Sequence, residues 1–193
     1  VRLLAFGDSF VAGVGDPDHL GWIGRALKGR PETTLYNLGV RRETSLDIAR
    51  RWRSEAEPRL SDQDPVRIIF SFGGNDTHVE PAALAPRVAL AETLEAAAGM
   101  LVEAGALAPV LLVGPPPSAE RAQLVRLEAL NGELTALAAR LKIPFIDVLG
   151  PLARAGAWLD EARAFDGAHP GAGGYQRMAD LVAAHPAWRA FTH

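Results

Sequence analysis

Cysteine is absent from all 193 residues. That excludes a disulfide scaffold, a thiol nucleophile, a Cys-ligated zinc or iron–sulfur site and thiol redox chemistry. Basic charge is not in excess either. Lys and Arg total 20 against 23 Asp and Glu, a net charge of −3, so nothing advertises a nucleic-acid partner or a polybasic membrane surface. No apolar run approaches the roughly 18 residues that span a bilayer, and no integral membrane association is expected. The opening Val1-Arg2-Leu3-Leu4-Ala5-Phe6 is too short for a secretory signal and runs straight into Gly7-Asp8-Ser9. A cytoplasmic location is therefore expected, although a chain beginning at Val leaves room for a removed initiator Met or signal peptide. Polar chemistry is scarce: six serines, five histidines and three asparagines. The positions of those few residues carry most of the information.

The length suits one domain, expected to cover residues 1–193. Five short apolar runs stand out, at 2–6, 33–38, 66–72, 109–113 and 144–148. They are continuous rather than alternating, as expected of strands covered on both faces. Helical patterns lie between them at 20–28, 45–57, 86–103, 119–141 and 171–184. Gly105 reads as a left-handed cap for the third, and Pro170 as a first-turn residue of the last. The stretch from 148 to 169 reads as loop. Alternation of this kind predicts an α/β fold, a three-layer α/β/α sandwich around a five-stranded parallel sheet with right-handed crossovers. In such sheets ligands bind beyond the carboxyl ends of the strands, near the point where the strand order reverses.

Four segments fall on that edge. After the first strand comes Gly7-Asp8-Ser9-Phe10. Ser9 fits a nucleophile, but Ser or Asp there also fits a helix cap. The Gly-x-Ser-x-Gly elbow and the phosphate-loop pattern are both absent. After the second strand, Asn37-Leu38-Gly39 ends in a glycine whose backbone N–H could be open, or which simply turns the chain. After the third, Gly73-Gly74-Asn75-Asp76 offers either an amide donor for an oxyanion or a Gly-Asn turn. Late in the chain, Asp166-Gly167-Ala168-His169-Pro170 places an Asp three residues before a His. That Asp could hold the imidazole Nδ1–H and leave Nε2 as acceptor, or cap the following helix.

Taken together and in this order, the four segments resemble the GDSL/SGNH hydrolase family over nearly the whole chain. Phe10 departs from the Leu of the family name. The resemblance implies a flavodoxin-like topology, Ser9 as nucleophile, His169 as general base and Asp166 as its orienting carboxylate. It also implies an oxyanion hole from the backbone N–H groups of Ser9 and Gly39 with the Asn75 side chain. No cofactor and no metal are implied.

Other residues carry weaker expectations. Phe10, His78, Trp158 and Phe165 are candidates for the substrate pocket. His78 reads more readily as a surface residue, and Trp22, Trp52, Trp158 and Trp188 mostly as packing. Asp8 and Asp76 read as loop-bracing acceptors. Arg41 and Arg42 either meet an acidic substrate or pair with local carboxylates such as Glu43, the second being preferred. His19 sits in a loop near the binding edge, and His185 and His193 read as solvated. Pro115-Pro116-Pro117 either stiffens a pocket edge or ends a strand. The expected activity is hydrolysis of small carboxylic esters, acetyl or other short acyl groups, because no apolar lid insertion is evident. A thioesterase or lysophospholipase on the same machinery is the alternative within the family. A non-catalytic flavodoxin-like binding module is the alternative outside it.

Overall fold

The computed structural model of the chain describes residues 1–192. Five parallel strands form one sheet: β1 (Arg2–Gly7), β2 (Thr34–Gly39), β3 (Val66–Ser71), β4 (Val110–Val113) and β5 (Phe145–Ile146), in the order β2-β1-β3-β4-β5. The order reverses at β1, between β2 and β3. Leu4, Phe6, Ile68 and Phe70 face one side of the sheet, and Leu3, Ala5 and Ile69 the other, each within its own buried cluster. This is the period-two pleat of a strand buried on both faces. The edge strand β2 is only partly buried, so the expectation of two-sided burial fails there: among the described residues no strand pairs with its outer edge.

The first face is covered by α3 (Ser45–Ala56), α5 (Leu90–Gly105) and α6 (Arg121–Leu141). Thr44 starts α3 with a capping box, its Oγ1 accepting from Asp47 N while Asp47 accepts from Thr44 N. The second face takes α2 (Gly21–Ala26), α8 (Ala157–Ala164), α9 (Ala172–Ala184) and α10 (Pro186–Thr192). Trp22, Trp158, Tyr175 and Trp188 are fully buried there. Two single-turn helices, α1 (Ser9–Ala12) and α4 (Gly74–Thr77), sit at the carboxyl ends of β1 and β3.

Four further expectations are corrected. The helix expected from residue 86 begins at Leu90, where Glu92 accepts from the Ala89 N–H at 3.2 Å; residues 78–89 are irregular. That helix closes at Ala106 in a right-handed conformation, and Gly105 is not left-handed. The stretch 148–169 contains two helices, α7 (Leu149–Ala155) and α8, separated by Gly156 at φ +77°. Each is too short to show a helical period, and the glycine between them hides the continuity. Pro170 precedes the Gly171 cap of α9 rather than lying in its first turn. No helix among the described residues is long and apolar enough to cross a membrane.

Candidate active site

Gly7 and Gly39 pair side by side at the ends of β1 and β2, and α1 packs directly onto them. A Cβ on Gly7 would collide with Val11 Cγ2 and Ser71 O, and one on Gly39 with the backbone of Asp8, Val11 and Ala12. This tight packing lets the chain turn from strand to helix within one residue. Asp8 caps α1, its Oδ1 accepting from Phe10 N at 3.0 Å. Ser9 is therefore the first residue of a helix, where a backbone N–H has no partner within the helix.

Ser9 Oγ lies 2.7 Å from His169 Nε2, and His169 Nδ1 lies 2.7 Å from Asp166 Oδ2. Ser9 is 4% and His169 7% exposed. Asp166 Oδ1 accepts from Ala168 N at 3.0 Å and His169 N at 2.8 Å, so one carboxylate both shapes the turn and holds the ring. Burial pushes the Asp166 carboxyl up, but the bonds from the His169 N–H, the His169 ring and the Ala168 N–H outweigh it and hold it below the usual range. The turn is itself anchored. Gly167 N donates to Ala162 O at 2.8 Å, Gly174 N donates to Glu161 Oε2 at 2.7 Å, and Tyr175 Oη donates to Val14 O at 2.7 Å.

Asn75 enters from β3. Gly73, at φ +117°, swings the chain into α4, a conformation that disfavours any residue with a side chain. Asn75 Nδ2 donates to Glu43 O at 2.9 Å and, more weakly, to Asp8 Oδ2 at 3.4 Å. Glu43 is fixed in turn by Arg51, whose Nε lies 2.7 Å from Glu43 Oε2 and whose Nη2 donates to Leu38 O at 2.8 Å. Asp76 is a buried acceptor for Ser45 N, Ser45 Oγ and Thr93 Oγ1. Asp8 and Asp76 thus brace loops, as their positions suggested. Burial raises the Asp8 carboxyl to about 7, with the charge of Asp76 adding to it and the bond from Phe10 N–H opposing it.

These residues open onto one cleft of about 320 Å³. Ser9, Asn75, Asp166 and His169 line it, with Phe10 and His78. Phe10 packs against the His169 ring at 5.1 Å. His78 is 40% exposed, so it is both a surface and a cleft residue. Trp158 and Phe165 do not line the cleft. Trp158 is buried behind Phe10, 5.7 Å away, and donates its Nε1 to Pro117 O at 3.1 Å. It props Pro116 and Pro117, which are wall residues. Phe165 is 63% exposed to solvent.

Gly39 sits differently from the other expected oxyanion donors. Its N–H donates to Asn37 Oδ1 at 3.1 Å, Asn37 Nδ2 donates to Val11 O at 2.8 Å, and Gly39 does not line the cleft. Three residues on, Arg42 does line it. Arg42 has φ +70°, a conformation uncommon for any residue but glycine, and its N–H meets no acceptor among the described residues. Nothing in the sequence signals this, since arginine has no preference for that backbone. Arg41 and Arg42 pair not with Glu43, which Arg51 has taken, but with Asp166 and Glu80. His19 is exposed, and His185 caps α10 by accepting from Ala187 N at 3.2 Å. His193 lies outside the described residues. No group of three or more metal-ligating side chains occurs among the described residues.

Residues 5–177 match the model of the GDSL-like Lipase/Acylhydrolase family. The chain belongs to that family. This GDSL hydrolase is thus a carboxylic ester hydrolase. It also resembles solved structures at low identity. A lipolytic protein of the G-D-S-L family from Veillonella parvula superposes with a TM-score of 0.76 at 20% identity, covering 94% of this chain and 95% of that one. A lipase/acylhydrolase from Enterococcus faecalis gives 0.74 at 22%, covering 94% and 93%. A catalytic mutant of an acetylxylan esterase from Geobacillus stearothermophilus gives 0.76 at 20%, covering 93% and 91%. At these identities the likeness carries the fold of the hydrolase and no more. No curated protein sequence matches the chain.

Proposed function

We propose that the enzyme hydrolyses small carboxylic esters, acetyl or other short acyl groups, through an acyl-enzyme on Ser9. The observation that carries this is the unbroken relay Asp166–His169–Ser9, with both links at 2.7 Å. Ser9 Oγ attacks the ester carbonyl while His169 Nε2 takes its proton. The tetrahedral intermediate collapses as His169 returns that proton to the leaving alkoxide. Water then attacks the acyl-enzyme, giving its proton to His169, and His169 returns that proton to Ser9 Oγ as the carboxylic acid departs and the free enzyme is restored.

The developing oxyanion needs donors already in place. Three are suited to it: the Ser9 N–H at the start of α1, the Arg42 N–H held open by its left-handed backbone, and the Asn75 amide. The Asn75 hydrogen facing Asp8 Oδ2 at 3.4 Å is weakly engaged, so an oxyanion competes for it easily. Gly39, with its N–H committed to Asn37, supports α1 instead.

The cleft supports a small substrate. A volume of about 320 Å³ is at the small end for ligand sites. The test is kcat/KM across a series of 4-nitrophenyl esters from acetate to palmitate, beside acetylated sugars and an acyl-CoA. Acetate to butyrate should be the best of the acyl series. A preference for long acyl chains, or for the thioester, would overturn the small-ester reading.

A further inference from the structure

The cleft carries more positive charge than its own carboxylates engage. Arg41, Arg42 and Arg87 all line it. Arg41 Nη2 lies 3.7 Å from Asp166 Oδ2, an oxygen that His169 Nδ1 already holds at 2.7 Å. Arg42 Nη2 lies 3.5 Å from Glu80 Oε1, whose other oxygen lies 3.8 Å from His78 Nε2. Both arginine pairs are longer than an ordinary N–H···O bond, and the two arginine side chains remain 60% and 74% exposed. Arg87 meets no carboxylate among the described residues. Its Nη1 donates to Arg42 O at 2.9 Å, which uses one of its five donors. Glu43, the carboxylate beside Arg41 and Arg42 in sequence, is held instead by Arg51 at 2.7 Å.

We propose that Arg41, Arg42 and Arg87 form a subsite for an anionic group, a carboxylate or a phosphate, carried by the ester substrate. This rests on the reading of Ser9 as the nucleophile of the same cleft. A planar guanidinium pairs with such oxoanions in a two-pronged fashion. Two long surface pairs, and an arginine that meets no carboxylate among the described residues, would then gain shorter, charge-assisted contacts. The subsite selects among esters and leaves the acyl-transfer step as described.

Two matched substrate pairs separate the positions the charge can take. Mono-4-nitrophenyl adipate and its methyl ester place it on the acyl side; 4-acetoxybenzoate and its methyl ester place it on the alcohol side. The readout is the ratio of kcat/KM for the charged and neutral members, compared between wild type and the Arg41→Gln/Arg87→Gln double variant. Comparing ratios cancels the intrinsic reactivity of each ester and any general loss of activity in the variant. In at least one pair the variant should lower the ratio roughly 3- to 30-fold. In wild type the same ratio should shrink between about 0.02 M and 0.5 M NaCl, as screening requires. A variant that slows charged and neutral esters equally in both pairs would overturn the subsite while leaving the esterase intact. A Ser9→Ala enzyme that still turns over the neutral esters would instead overturn the reading beneath it.

Discussion

His169 Nε2 and Ser9 Oγ sit 2.7 Å apart although 160 positions separate them in the chain. The sheet makes that contact: β1 delivers Ser9 to its carboxyl edge, and the anchored turn before α9 returns His169 to the same edge. What the contact can do depends on Asp166, which holds the far side of the ring.

Asp166→Asn is the sharper probe of that dependence. The amide oxygen can keep accepting from the Ala168 and His169 N–H groups, so the turn persists. Its NH₂ then faces Nδ1 and favours the tautomer with a proton on Nε2, which cannot accept one from Ser9. We expect kcat to fall by on the order of 10²–10⁴ with little change in thermal stability. A loss of activity that merely tracks a loss of folded protein would contradict this.

Asn75→Ala removes one oxyanion donor and should lower kcat by on the order of 10²–10³, with KM much less affected. The measurement is steady-state kinetics on 4-nitrophenyl acetate. A change confined to KM would place Asn75 in ground-state binding instead.

Gly39→Ala should act through packing. The new methyl group would push against the backbone of Asp8, Val11 and Ala12, the segment that carries Ser9. Overpacking of this kind costs about 1–3 kcal/mol, a drop of several degrees in Tm for a chain of this size. Unchanged Tm with impaired kcat would return Gly39 to the oxyanion hole.

Asp8 gives a pH signature. Its carboxyl is raised by burial from 3.8 to about 7. Between those values the native state holds a proton that the unfolded chain has released. Stability therefore falls as pH rises through that window, by up to about 1.4 kcal/mol per pH unit, and levels off above it. Asp8→Asn keeps the acceptor for Phe10 N and does not titrate. Urea denaturation from pH 4.5 to 8 should show the stability difference moving in the variant's favour as pH rises. Parallel profiles would contradict the raised carboxyl.

Strand positions and their parallel order were legible because β1, β3 and β4 are buried on both faces and read as unbroken apolar runs. Ser9, Asn75, Asp166 and His169 were legible because they are sparse polar residues at strand ends or at a fixed spacing. The bond from the Gly39 N–H to Asn37 Oδ1, two residues back, was not legible, because a glycine at a strand end does not show where its own N–H points. Arg42 was hidden because its backbone, not its side chain, is the unusual feature. Arg87 was hidden because residues 78–89 bring it to the cleft without regular structure. Trp158 packs behind the wall rather than in it, a distinction of one layer that sequence spacing does not resolve.

The central claim is that Ser9 forms the covalent acyl-enzyme. Its most direct test is peptide mass spectrometry of the folded protein after treatment with a fluorophosphonate. The account predicts a single stoichiometric adduct on Ser9, absent when the enzyme carries Ser9→Ala and strongly slowed by Asp166→Asn. A correctly folded protein that remains unlabelled, or is labelled at another serine, would contradict it.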